Sequence, residues 1–347
     1  MNPAAQPSDA PGARRPTLNA VAARAGVGRG TVSRVINGSP KVSPRSRAAV
    51  EQAIAELGYV PNRAARSLVT RRTDSVALVV PEAEDRLFTE PYFSGIIRGA
   101  SSTLSAAGMH LLLVLERDED EQSRLASYLS AHRVDGVLLM AVHCDDTLPD
   151  LLDRLAVPTV LAGRRSEAEP LGHVRADNIG GARDAVGHLL ARGRRTIGTI
   201  TGPLDMDAAR DRLDGYRDAL RHAGIAVDES LIAYGDFTEE GGRAAMRELL
   251  DRRPGLDGLF AASDVTASGA VQVLRASGHD VPRDVAVVGF DDSMVARHLD
   301  PPLTSVRQPI EEMGRTMARL LLDEIATPGT GHRQVVLPTE LVLRDSA

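Results

Sequence analysis

The chain has 347 residues, a formal net charge of −6, 43% hydrophobic residues, one cysteine and no tryptophan. That length is too great for one small domain and suits two or three units with sizeable cores. The single Cys144 excludes an intrachain disulfide and fits a reducing cytoplasm, and no apolar run approaches the roughly 20 residues of a membrane span. Charge is unevenly distributed: residues 1–73 hold 12 Lys or Arg against 3 Asp or Glu, net +9, and the remainder carries net −15. A basic N-terminal fifth on an acidic chain is the footprint of a small module that neutralises phosphates.

In chain order, residues 1–16 are rich in Pro and Ala and lack an apolar leader stretch, so a disordered tail is expected and no signal peptide. Thr17 is placed to cap a helix over Leu18–Ala25 and Gly26 to end it with positive φ, with a second helix over Arg29–Ile36. Val21, Ala22 and Ala25 can then face Val32, Val35 and Ile36. This leaves Arg29, Gly30, Thr31, Ser33 and Arg34 outward, the helix-turn-helix arrangement for a DNA major groove. The alternative, an ordinary helical hairpin with arginines on its solvated side, is disfavoured by the local charge. After the turn cluster Asn37-Gly38-Ser39-Pro40, Ser43 and Pro44 open a third helix whose stripe is Val50, Ile54 and Leu57 and whose end is Gly58. The headpiece is expected over 17–60. A hinge helix and linker follow over 61–74, where Pro61 and Asn62 start a helix of under two turns, too short to persist alone in water.

From Ser75 short apolar runs alternate with amphipathic stretches: 76–80, 110–115, 136–140, 159–162, 196–201, 258–262 and 285–290. Such alternation predicts parallel sheets with right-handed crossovers. A break near 175–178 divides them into two similar halves, and ligands of such folds bind at the carboxyl ends of the strands, here between the halves. A final strand is expected over 334–343, with no leucine heptads after it.

Taken together, Ala25-Gly26-Val27, Thr31-Val-Ser-Arg-Val-Ile-Asn37, Leu57-Gly-Tyr-Val-Pro-Asn-Arg63, Arg212-Leu-Asp-Gly-Tyr216, Ala262-Ser-Asp264, the run 281–292 and Pro302-Leu-Thr-Ser-Val-Arg-Gln308 resemble the lactose-repressor (LacI/GalR) family of bacterial transcription regulators, from about Thr17 to about Asp345. The resemblance implies an all-α helix-turn-helix headpiece on an α/β, two-lobed, periplasmic-binding-protein-like core with parallel sheets. The chain would cross three times between a first lobe (about 75–175 and 309–330) and a second (about 176–308 and 331–345). It implies a cytoplasmic, homodimeric, sequence-specific repressor of operator DNA, controlled by a small molecule (a sugar, sugar derivative, nucleoside or purine) between the lobes. The implied DNA-contacting set is Thr17, Arg29, Gly30, Thr31, Ser33, Arg34, Asn37, Asn62, Ala65 and Leu68, with Leu68 as a minor-groove wedge and Ala65 facing its counterpart in the partner subunit. The implied effector set is Tyr92, Phe93 and Phe237 as flanking rings, with Arg212, Asp264, Asp291 and Arg164 supplying polar contacts. Aromatics are scarce, five Phe and five Tyr in all, which draws attention to those three. The family usually has Ser or Thr where Gly28 caps the recognition helix and a larger residue at Gly30, so base readout is expected to lean on Arg29 and Arg34.

Other patterns carry less. His143-Cys144-Asp145-Asp146 lacks a second ligand pair at metal spacing. Gly26, Gly28 and Gly30 follow no strand and so make no dinucleotide loop, and no hydrolase elbow, zinc-protease helix or Walker loop is present. No metal, cofactor or catalytic role is expected. The rival reading, a free solute-binding protein or sugar-processing enzyme on the same core, would need export or catalytic residues.

Overall fold

The computed structural model describes residues 16–36, 38–59, 72–81, 87, 90–115, 119–131, 133–329 and 333–347. Asn37, Asn62, Ala65 and Leu68, and with them the expected hinge helix, lie outside the described residues. The chain divides into two compact units, 1–73 and 74–347.

The first unit contains α1 (Leu18–Ala25), α2 (Arg29–Ile36) and α3 (Pro44–Leu57). Thr17 Oγ1 accepts from Ala20 N at 3.2 Å, and Ser43 Oγ accepts from Ser46 N at 3.2 Å. Each oxygen satisfies an amide that the first helical turn leaves unpaired. Gly26 closes α1 at φ 65°, a left-handed conformation that glycine adopts without steric cost. Val21, Ala22, Val32, Val35, Val50, Ala53 and Tyr59 form one buried cluster. The period of 3.6 residues places the first six on the inner faces of the three helices, and Tyr59 follows the cap of α3.

The second unit contains two six-stranded sheets among the described residues. The first is built from β1 (Ser75–Val80), β2 (His110–Leu115), β3 (Gly136–Leu139), β4 (Thr159–Ala162), β5 (Gly172–Ala176) and β11 (Gln334–Leu337) in the order β2-β1-β3-β4-β5-β11, all parallel. Its helices are α4 (Pro91–Ala106), α5 (Glu119–Ser130), α6 (Leu148–Arg154) and α12 (Ile310–Ala326). The second sheet takes β6 (Ile197–Ile200), β7 (Ile232–Ala233), β8 (Gly258–Ala261), β9 (Ala286–Asp291), β10 (Thr304–Arg307) and β12 (Glu340–Val342) in the order β7-β6-β8-β9-β10-β12. Only the β10–β12 pairing in it is antiparallel. Its helices are α7 (Asn178–Ala191), α8 (Asp207–His222), α9 (Glu239–Arg252), α10 (Asp264–Ala276) and α11 (Met294–His298).

The apolar runs are continuous because both faces of each sheet are covered. In β1, Val76, Leu78 and Val80 enter one core cluster while Ala77 and Val79 enter another on the opposite face. The strand period of two separates them.

The expected strand over 334–343 is two strands in different sheets, so the second lobe does not resume at 331. Val335 and Leu337 pack on the first lobe's core and Leu341 on the second's. Pro338, which has no amide to donate to a ladder, stands between them. The chain therefore crosses between lobes near Asp177, near Pro309 and near Pro338. Two of these crossings are stitched together: Asp177 N donates to Leu337 O at 2.9 Å, and Thr339 Oγ1 donates to Asp177 O at 3.3 Å.

Candidate functional site

In the first unit, Arg29, Gly30 and Arg34 are exposed on α2, and Thr31 and Ser33 are half-buried. Thr17 is exposed, with its hydroxyl oxygen engaged as the cap of α1. Arg47 donates to the Ser39 carbonyl at 2.7 Å, which braces the turn after α2, and Arg24 pairs with Glu56.

In the second unit, loops and helix starts from both lobes line a narrow cleft of about 90 Å³, smaller than the usual range for small-molecule sites, roughly 300–1,000 Å³. The first lobe contributes a wall of Tyr92, Phe93, Ala141, Val142, Ala162, Gly163, Ala176 and Met313, together with the charged Glu90 and Arg175. Pro91 opens α4 and puts Tyr92 and Phe93 on its first turn. Their rings meet edge to face with centroids 5.7 Å apart. Burial raises the Tyr92 phenol above its ordinary range, so it stays a neutral hydroxyl.

The second lobe contributes the polar wall. Arg212 on α8 is buried, its Nε donating to Asn178 Oδ1 at 3.0 Å and its Nη1 donating to the Ala262 carbonyl. Its guanidinium lies 3.8 Å from the centroid of Phe290 and 3.7 Å from Asp291 Oδ1. Gln308 Nε2 donates to the same Asp291 oxygen at 2.6 Å. Burial pushes the Asp291 carboxyl up, and the Arg212 charge opposes that. Burial lowers Arg212, and Asp291 opposes that in turn. The pair is a mutual neutralisation in a poorly solvated place.

Phe237 completes the wall from a backbone at φ 68°, its ring lying over Gly202. A Cβ at Gly202 would stand 2.1 Å from the ring, so the aromatic can occupy this position only above a glycine.

Two expected residues stand elsewhere. Asp264 is fully buried and does not line the cleft: its Oδ2 accepts from Ser293 N at 2.7 Å and its Oδ1 from Ser305 Oγ at 2.6 Å. It braces the turn that carries Asp291 from below, and burial, then Asp291, raises its carboxyl. Arg164 is buried at the boundary between the lobes, 3.6 Å from Asp207 Oδ2 and 3.4 Å from Asp211 Oδ1, with Nη1 donating to Glu167 at 2.7 Å. Ion pairing draws it toward α8 instead of into the cleft. Tyr92, Phe93, Phe237, Arg212 and Asp291 do line one space, and Asn178, Ser263, Gln308, Asp207 and Met313 join them without having been singled out in the sequence.

The boundary between the lobes carries further contacts. Arg175 Nη1 donates to Asp211 Oδ2 at 3.0 Å, Arg210 Nη2 donates to Arg165 O at 3.1 Å, and Cys144 N donates to Asp205 O at 2.9 Å. His143 Nδ1 lies 2.7 Å from Asp205 Oδ2. The His143 to Asp146 segment thus serves as a contact between lobes.

A wall of ring faces and methyl groups opposite a wall of amide, carboxylate and hydroxyl groups suits a compact ring with polar edges. Residues 17–62 match the family described as bacterial regulatory proteins, lacI family, and residues 186–347 match the periplasmic binding protein-like domain. The HTH-type transcriptional regulator CelR of Thermobifida fusca is 57% identical over 335 residues, covering 96% of this chain and 98% of that protein. Among solved structures, a transcriptional regulator CelR–cellobiose complex is similar at 54% identity and TM-score 0.77, covering 96% of this chain and 100% of that one. A lac repressor dimer bound to operator and an anti-inducer is similar at 28% identity and TM-score 0.84, covering 96% and 99%. The chain therefore belongs to the lacI family of bacterial regulatory proteins: it is a DNA-binding transcription regulator and not an enzyme.

Proposed function

We propose that this regulator is a homodimeric, cytoplasmic repressor whose operator affinity is set by a glucose disaccharide, cellobiose first, held between the lobes of the core. The carrying observation is the division of the cleft: Tyr92, Phe93 and Met313 offer apolar faces while Asn178, Arg212, Asp291 and Gln308 offer a hydrogen-bonding edge. A pyranose needs both, stacking for its face and charge-assisted bonds for its hydroxyls. The extensive likeness to a cellobiose-bound regulator supports the same choice.

On DNA, Arg29, Gly30, Thr31, Ser33 and Arg34 would read or approach bases, with Thr17, Asn37 and Asn62 beside the backbone and Ala65 and Leu68 at the operator centre. Dimer formation is supported by edge strand β2, where Leu112 and Leu113 are exposed. An apolar sheet edge is an aggregation hazard unless another chain or element covers it.

A thermal-shift screen of the full chain against cellobiose, lactose, ribose and cytidine tests the effector. At 100 times its dissociation constant the true ligand adds about 2.7 kcal/mol. A shift with cytidine and none with cellobiose would replace the disaccharide by a nucleoside. For the DNA face, Arg34→Ala should cost about 1–3 kcal/mol on a palindromic operator and relax sequence preference; equal losses on operator and random DNA would assign Arg34 to phosphate.

A further inference from the structure

We propose that Asp207 is the specificity-determining residue of the cleft: one carboxylate oxygen rests against the first lobe's Gly163–Arg164 peptide, and the other accepts a hydroxyl of the ligand, so that a neutral sugar is admitted and an anionic one refused. This rests on the sugar reading above and goes beyond it by naming the group that selects.

Asp207 opens α8 in the second lobe and lines the cleft at 5% exposure. A Cβ at Gly163 would fall 2.8 Å from Asp207 Oδ1, so the carboxylate reaches the first lobe only because residue 163 has no side chain. There the Arg164 backbone N–H offsets part of its burial. Oδ2 is buried with no hydrogen-bond partner, its charged neighbour Arg164 Nε standing at 3.6 Å, an ion-pair distance outside hydrogen-bond reach. A buried acceptor without a hydrogen bond is costly, and a hydroxyl donor arriving in the cleft reduces that cost.

The surrounding charges set the ligand class. Arg175 and Arg212 are the cations lining the cleft; the first is held by Asp211 and the second by Asp291 and the Ala262 carbonyl. Arg164 is shared among Glu167, Asp207 and Asp211. Among the described residues, a phosphate or carboxylate entering would meet Asp207 and Asp291 with both lining cations already engaged. Burial and the neighbouring Asp211 charge push the Asp207 carboxyl up to about 6, with Arg164 and Arg175 opposing. A hydroxyl donated to the charged form pulls that value down again, so binding near pH 6 releases protons. Tyr92, Arg212 and Asp291 also face this corner, which is why the variant below is needed to assign the protons.

The experiment is isothermal titration of the full chain with cellobiose, its monodeoxy derivatives and cellobiose 6-phosphate, at pH 6 in two buffers of different ionisation enthalpy. For the wild type, removing the one hydroxyl that meets Asp207 should weaken binding about tenfold to a hundredfold, the scale of a hydrogen bond to a charged group, and the phosphate should bind more weakly still. In Asp207→Asn cellobiose should bind at least about tenfold more weakly, that hydroxyl should no longer matter, and proton release should fall. Asp207→Glu, which keeps the charge, should still refuse the phosphate. If the variants show no cooperative melting, the wild-type panel decides alone: equal binding of cellobiose and its phosphate overturns the proposal. So does an Asp207→Asn protein with the wild-type hydroxyl ranking and proton release. Should the wild type ignore cellobiose altogether, the disaccharide reading fails, and the same tests with deoxy and phosphorylated forms of the sugar found by the thermal-shift screen judge Asp207 separately.

Discussion

The two lobes run the same strand order, β2-β1-β3-β4-β5-β11 in one and β7-β6-β8-β9-β10-β12 in the other, yet they line their shared cleft with a different balance of chemistry. The first presents Tyr92, Phe93, Val142, Ala162 and Met313, the second Asn178, Arg212, Asp291 and Gln308. The topology fixes where side chains gather, at the carboxyl ends of the strands, and leaves their chemistry free. In the proposed reading the lobes divide the work of binding, one covering ring faces and the other satisfying polar edges.

The sharpest way to break that division is to remove its cation. Arg212→Ala leaves the Asp291 carboxylate buried beside no guanidinium, which should cost about 3–5 kcal/mol in urea unfolding of the core and abolish sugar binding. A loss under 1 kcal/mol with binding intact would mean that the polar wall is not organised around Arg212.

Next in size is a pH effect on the second lobe's wall. The Asp207 carboxyl stands at about 6 in the folded chain against an ordinary 3.8, so the folded state holds its proton more tightly than the unfolded state. Its contribution is therefore complete below about pH 4 and is lost as pH rises through about 6. Asp207→Asn does not titrate, so between about pH 4.5 and 7.5 it should gain on the wild type by on the order of 2 kcal/mol. A difference that stays constant with pH in urea titrations would return Asp207 to an ordinary carboxylate.

Smaller effects should separate the walls by their selectivity. Gln308→Ala removes a donor to Asp291 and should cost about 1–3 kcal/mol in affinity, unequally among sugars differing at one hydroxyl. Tyr92→Leu removes ring stacking and should cost about 0.5–1.5 kcal/mol, nearly equally for all of them. Calorimetry that found the reverse pattern would overturn the assignment of faces to one lobe and edges to the other. The smallest expected loss, about 1 kcal/mol, belongs to Asp177→Ala, because Asp177 Oδ1 accepts from Gly180 N at 2.9 Å and caps α7; it should appear in melting temperature and leave sugar ranking unchanged.

Legibility in the sequence followed burial. Runs such as 76–80 and 285–290 read clearly because strands covered on both faces are apolar throughout. The strand Gly172–Ala176 is not legible because its Gly-His-Val-Arg-Ala sequence alternates polar groups that the structure uses: His173 is buried with Nδ1 3.2 Å from Leu171 O, and Arg175 reaches Asp211. The run 334–343 reads as one strand by its apolar content, and Pro338, which has no amide for a ladder, is the signal that divides it. In the cleft, the three rings stood out through the scarcity of aromatics. Asn178, Ser263 and Gln308 did not, being single polar residues without a local pattern, although each lies within two residues of the end of β5, β8 or β10, a position that could have found them. Asp264 sits beside Ser263 yet points away from the cleft, a turn of the backbone that motif matching does not resolve.

The stitched crossings have a mechanical consequence. Ala176 pairs with Leu337 and Arg307 with Glu340 at the margins of the two sheets, and the bonds among Asp177, Leu337 and Thr339 tie neighbouring crossings together. Sideways sliding or twisting of one lobe on the other would have to shear those bonds, whereas bending across them leaves the bonds intact. These bonds favour bending as the softest relative motion of the lobes, so the opening angle is the coordinate on which a molecule in the cleft would act. A substitution at Thr339 would then act on the stiffness of that coordinate, changing how far a given ligand swings the lobes while leaving the residues that line the cleft as they were.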